Sequence, residues 1–153
     1  MDTLCFEKKF VKCSWSERNF ACAVTIINGR KLLEVVKEYE LPYTREEGHE
    51  DIADGYEYQL AGELYLQLTD KSRRMEEDEV TLLICSDCLE ECCWPFVVHS
   101  EETDDFVIWK NFDNPFRSEN RADGLWDYSG FGPFCFDKAA YMRELEKLRT
   151  FGE

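Results

Sequence analysis

The densest group of reactive side chains is Cys85-Ser86-Asp87-Cys88-Leu89-Glu90-Glu91-Cys92-Cys93-Trp94-Pro95-Phe96, which places four of the chain's eight cysteines within nine positions. Cys85 and Cys88 have metal-knuckle spacing, and Cys92 or Cys93 offers a third thiolate across the turn expected between two strands. A structural zinc needs four nitrogen or sulfur ligands at about 2.0–2.3 Å. His99 completes a Cys-Cys-Cys-His order, yet on an extended strand it stands six residues beyond Cys93, roughly 20 Å away at about 3.3 Å per residue. Cys92 and Cys93 also point to opposite faces of any strand, so only one of them joins Cys85 and Cys88 without a bulge. A fourth ligand would have to come from Cys13, Cys22, His49, Cys135 or a carboxylate, none of which the sequence brings close. The cluster therefore reads first as structural thiols with no cofactor, and a zinc site at Cys85, Cys88, Cys92 and Cys93 is the alternative. Redox chemistry is opposed by Asp87, Glu90 and Glu91, because like charges raise thiol pKa values. A disulfide between Cys92 and Cys93 is opposed by geometry, since adjacent Cα atoms lie only about 3.8 Å apart.

The remaining motifs assign no catalytic residue. Gly48-His49-Glu50-Asp51-Ile52-Ala53 begins like a zinc-protease helix but has Ala53 where the second histidine must stand. Gly130-Phe131-Gly132-Pro133 lacks the rest of a dinucleotide fingerprint and reads as a bend before a strand. Thirty-three acids make carboxylate pairs too common to single out a dyad. A small enzyme of unknown reaction gains support only if His49 or His99 lies in a pocket beside a second polar group. Trp94, Trp109, Trp126, Phe112, Phe116 and Phe131 read as core rather than as an exposed aromatic patch.

The elements that must position these residues follow from hydrophobic pattern and turn chemistry. Residues 5–13 and 20–27 read as strands, and Asn28-Gly29 closes the second. Leu32, Leu33, Val36 and Tyr39 or Glu40 recur at helical spacing, predicting a helix over 31–40 that stops at Leu41-Pro42; a hairpin is the alternative. Arg45 to Glu57 is an acidic surface loop or short helix, and Leu60, Leu64 and Leu68 predict a helix over 59–69. Residues 80–85, 94–100 and 106–112 form an antiparallel meander, with a further short strand at 125–128 or 134–136. Asp137 caps a final helix, with Phe136 stapled onto Tyr141 and an apolar stripe of Tyr141, Leu145 and Leu148. The expected architecture is α+β: a mainly antiparallel sheet, with the meander in residues 80–136, covered by an N-terminal and a C-terminal helix.

A chain of 153 residues is expected to form a single domain, long enough to bury a core without metal or disulfides. Its net charge of −15 repels nucleic acid and anionic lipid, and favours a basic protein as partner or no partner at all. The acids Glu46, Glu47, Glu50, Asp51, Asp54 and Glu57 are the candidate contact residues for that partner. Glu7, Lys8, Lys9 and Lys12 interrupt any signal-peptide pattern, and no apolar run approaches a membrane span, so the expected location is the cytoplasm.

Cys93-Trp94-Pro95, then Thr103-Asp104-Asp105 with Val107, Trp109 and Phe112, then Pro115, Arg117, Trp126, Tyr128, Phe134 and Phe136, resemble a family of small bacterial cytosolic proteins. The resemblance covers about residues 80–145, with an echo at Gly48-His49 and Gly55-Tyr56. The family's turn runs Cys-x-Cys-Gly and ends in Gly-Cys; here Asp87 lengthens the first pair, Leu89 replaces one glycine and Cys92 the other. It implies a bacterial cytosolic origin and attaches no activity. The function expected from charge and motifs is that of a non-enzymatic interaction domain, of inhibitor or immunity type, binding a basic partner.

Overall fold

The computed structural model describes residues 1–12, 17–46, 48, 55–74, 78–86, 89, 94–115 and 126–151. The chain opens on a hairpin of β1 (Leu4–Lys12) and β2 (Asn19–Ile27), paired antiparallel from Leu4 opposite Ile27 to Lys12 opposite Asn19. An N-terminal helix is therefore not what the chain forms; the first helix follows three strands. Asn28 and Gly29, with φ of 53° and 79°, make the left-handed two-residue turn that suits a tight hairpin. That turn leads into a two-residue strand β3 (Arg30–Lys31) on β2 and directly into α1 (Leu32–Glu46). Both readings of Asn28-Gly29, hairpin and helix, are thus partly realised.

Helix α1 runs through Pro42 instead of stopping there. An interior proline removes a backbone hydrogen bond and costs about 3 kcal/mol. Packing on both sides of it offsets that cost: Tyr39 stacks on Tyr128 with centroids 6.0 Å apart, Tyr43 stacks on Trp126 at 5.9 Å, and Thr44 is buried. The Tyr39 and Tyr43 hydroxyls both donate to the Asp127 carbonyl, at 2.6 and 3.2 Å, which holds residues 126–131 against the helix.

A five-stranded antiparallel sheet follows, ordered β4 (Tyr56–Tyr58), β5 (Glu79–Cys85), β6 (Phe96–Glu102), β7 (Phe106–Asp113) and β8 (Phe134–Asp137). The antiparallel meander expected from residue 80 onward is present, and β8 takes the later of its two proposed positions. Strand β5 is buried from Val80 to Ile84 on both faces, which is why it reads as an unbroken apolar run. Backbone bridges between Asp2 and Phe136 and between Cys22 and Leu60 join the five-stranded sheet to β1 and β2.

Helix α2 (Ala61–Thr69) packs on β5 and β2 and meets α3 (Lys138–Phe151), which lies against β1. The Asp137 carboxylate accepts the Ala140 N–H at 2.9 Å, and the Phe136 and Tyr141 rings stack at 5.9 Å, so the cap and staple form as expected. Glu144 of α3 accepts the Phe6 N–H at 2.9 Å, covering a donor on the outer side of β1. Gly132, at φ 71°, lies in the bend before β8 expected at Gly130–Pro133. Among the described residues no helix is long and apolar enough to cross a membrane.

Candidate functional site

The cysteine turn is described only at its edges. Cys85 ends β5 opposite Tyr56 and is half-buried; Cys88, Cys92 and Cys93 lie outside the described residues. His99 pairs with Glu79, at the opposite end of β5 from Cys85, so strand register separates the two as extended geometry requires. Among the described residues no group of three potential metal ligands converges.

Of the six candidate contact acids, Glu46 is exposed in the last turn of α1, while Glu47, Glu50, Asp51 and Asp54 lie outside the described residues. Glu57 is not part of an acidic loop. It stands in β4, half-buried, 3.2 Å from Lys9 Nζ, and its carboxylate accepts the Tyr58 N–H at 2.9 Å. A three-residue strand is too short to show alternation, so composition alone put it in the loop.

A second acidic surface gathers where β6 turns into β7 and α3 begins. Glu101, Glu102, Asp104, Asp105 and Asp137 are all exposed, and Thr103 closes the turn by accepting the Phe106 N–H at 3.0 Å. Two large apolar side chains lie among them, Phe106 at 37% exposure and Met142 at 47%. Both line one shallow depression with Asp104, Asp105 and Asp137. Lys138 lines the same depression, donating to the Thr103 carbonyl at 3.0 Å and standing 3.8 Å from Glu102. Asp104, Asp105 and Asp137 outnumber that one lysine, so the net field over the two apolar residues is negative.

His99 borders a different feature, a notch of about 740 Å³. Strand β6 runs to Glu102, but β5 starts at Glu79 opposite His99, and this step in the sheet opens the notch. The notch is lined by Lys71 of the 3-10 turn Lys71–Arg73, by Arg74 and Asp78, and by Tyr141 of α3. The Tyr141 hydroxyl accepts from Trp109 Nε1 at 3.2 Å, and burial pushes its pKa up, so it stays a neutral phenol. Between Val97 opposite Asp113 and His99 opposite Lys110, β7 advances three residues while β6 advances two. That bulge contains Asn111 at φ 56° and turns Lys110 and Asn111 into the notch wall. His99 thus borders a pocket beside Ser100 and Lys110, the arrangement that lends support to the alternative of a small enzyme, while His49 lies outside the described residues.

One fully buried carboxylate belongs to neither surface. Glu40, fully buried on α1, accepts through Oε2 from the Tyr56 hydroxyl at 2.7 Å and the Tyr128 hydroxyl at 2.6 Å. Asn114 Nδ2 donates in turn to the Tyr56 hydroxyl at 2.8 Å. Burial, then the nearby Glu40 carboxylate, raises the Tyr56 pKa well above its ordinary value; burial, then Tyr56 and Glu40, does the same for Tyr128. Both phenols therefore remain donors at any ordinary pH. The one signal of this network in the sequence is an acid at the next step of the Leu32, Val36 stripe. Nothing in the local spacing marks Arg74, whose burial depends on elements far apart in the chain.

Comparison of the chain with protein-family models, with curated proteins and with solved structures yields no match.

Proposed function

We propose that this chain is a non-enzymatic interaction protein, of inhibitor or immunity type, which binds a basic partner through the β6–β7 turn and the start of α3. One observation carries the reading: exposed Phe106 and Met142 share a depression lined by Asp104, Asp105 and Asp137 against the single cation Lys138. Apolar anchors inside a predominantly acidic rim suit a partner that offers lysines or arginines around an apolar contact. The long-range field of a −15 chain speeds encounter with such a partner. Glu46, with the acidic segment that follows it, adds to that field.

The test is capture of basic proteins from a bacterial lysate at about 50 and 500 mM salt, with Phe106→Ala and Asp104→Asn/Asp105→Asn variants beside the parent chain. A specific basic protein should be retained at low salt, released at high salt, and weakened at least tenfold by each variant, because truncating a central anchor costs about 2 kcal/mol or more. Enrichment of no basic protein, or retention indifferent to salt and to both variants, would refute the reading.

A further inference from the structure

We propose that the notch beside His99 is a binding site for a small phosphorylated molecule, with Arg74 as its phosphate anchor. The Arg74 side chain is only 5% exposed. Its Nε donates to the Gln67 carbonyl at 2.7 Å, while Nη1 is buried and makes no hydrogen bond among the described residues. Asp78 Oδ1 stands 3.8 Å from Nη1, a coulombic contact longer than a hydrogen bond. A buried guanidinium donor without an acceptor is rare and unfavourable, and a phosphate that displaces the half-exposed Asp78 carboxylate would supply one. Arginine's planar fork matches a phosphate better than a lysine does.

The walls support the same reading independently. Asp78 and Asn111 line the notch with φ of 64° and 56°, left-handed values that aspartate and asparagine adopt more readily than other side chains. In a chain of net charge −15, this one notch collects Lys71, Arg74 and Lys110 together with His99 and the Ser100 hydroxyl. Asp78, Glu101 and Glu102 also border it, and their ion pairs are the competitors: Lys71 to Asp78 at 3.4 Å and Lys110 to Glu101 at 2.7 Å. Both pairs have exposed lysines, at 76% and 44%, and such surface pairs exchange readily for another anion. The volume of about 740 Å³ exceeds what a bare phosphate fills and falls in the range of small-molecule sites. The ligand is accordingly a phosphate monoester whose organic part rests on Met142 and Leu145.

The experiment is isothermal titration of the isolated chain with inorganic phosphate and with glycerol phosphate. It is run at constant ionic strength near 0.15 M, where distant carboxylates are screened beyond about 8 Å. Three proteins are compared: the parent, Arg74→Lys, and Lys71→Ala/Lys110→Ala. Saturable binding of the monoester is expected, at least tenfold weaker in both variants. Equal affinity for phosphate alone would keep the site and assign free phosphate as its ligand. The double variant alters only half-exposed or exposed side chains, so it decides the matter even if Arg74→Lys fails to fold. No saturable binding of either probe, or binding unchanged in the double variant, would overturn the proposal.

Discussion

Replacing Glu40 tests the interior most directly. In Glu40→Ala, the Tyr56 and Tyr128 hydroxyls lose an acceptor that holds them at 2.7 and 2.6 Å in a fully buried position. Each buried hydroxyl left without its acceptor costs about 1–3 kcal/mol, so two together place the loss at about 2–6 kcal/mol. Total stability for a domain of this size is about 5–15 kcal/mol, so the variant should be severely weakened. Glu40→Gln keeps a carbonyl oxygen able to accept from both phenols at neutral strength, and should cost only about 1–3 kcal/mol. Urea unfolding followed by tryptophan fluorescence measures both, and Tyr128→Phe in the Glu40→Gln background gives the coupling between the two groups. A Glu40→Ala variant within about 1 kcal/mol of the parent, or a Glu40→Gln variant as damaged as the alanine, would refute the reasoning: the first denies the network any weight, the second denies that acceptor geometry carries it.

Gly132→Ala should destabilise the chain by about 2–4 kcal/mol in the same assay, because φ there is 71° and a Cβ would stand 2.8 Å from the Phe112 ring. Alkaline conditions should weaken the fold: burial pushes the Cys22 thiol and the Tyr58 phenol, ordinarily near 9 and 10, up to about 12. Groups raised in this way leave stability intact below the unfolded values and remove it as pH climbs toward 12, by about 1.4 kcal/mol per pH unit each; a urea midpoint flat from pH 10 to 12 would contradict this. Protein purified without added metal should carry well below one equivalent of zinc by elemental analysis, and a chelator should leave its melting temperature unchanged, since His99 lies at the far end of β5 from Cys85.

Strands β1 and β2, the meander and α3 were all legible in the residues because each is written in local terms. Asn28-Gly29 closes the turn at the end of β2, and Asp137 caps the helix whose stripe follows it. The continuation of α1 through Pro42 was not legible, since Tyr39 and Tyr43 find Tyr128 and Trp126 more than eighty positions away. Strand β4 was hidden by its length and by the acids around it. Of the candidate contact acids, Glu57 proved to be committed to Lys9 across two strands that the chain order does not reveal as neighbours.

The sequence by itself determined the class of architecture, the burial of Trp109, Phe112, Trp126 and Phe131, and the strand geometry that separates His99 from Cys85. Hydrophobic period and capping act over a few residues, so composition and spacing suffice for them. Only the tertiary structure decided where the polar groups converge. Glu40 meets Tyr56 and Tyr128, Arg74 sinks beside Gln67 and Asp78, and Phe106 comes to share a depression with Met142. The physical reason is that the value of a buried charge or an exposed apolar side chain is set by what faces it, and sheet order and helix packing bring those facing groups together from distant parts of the chain.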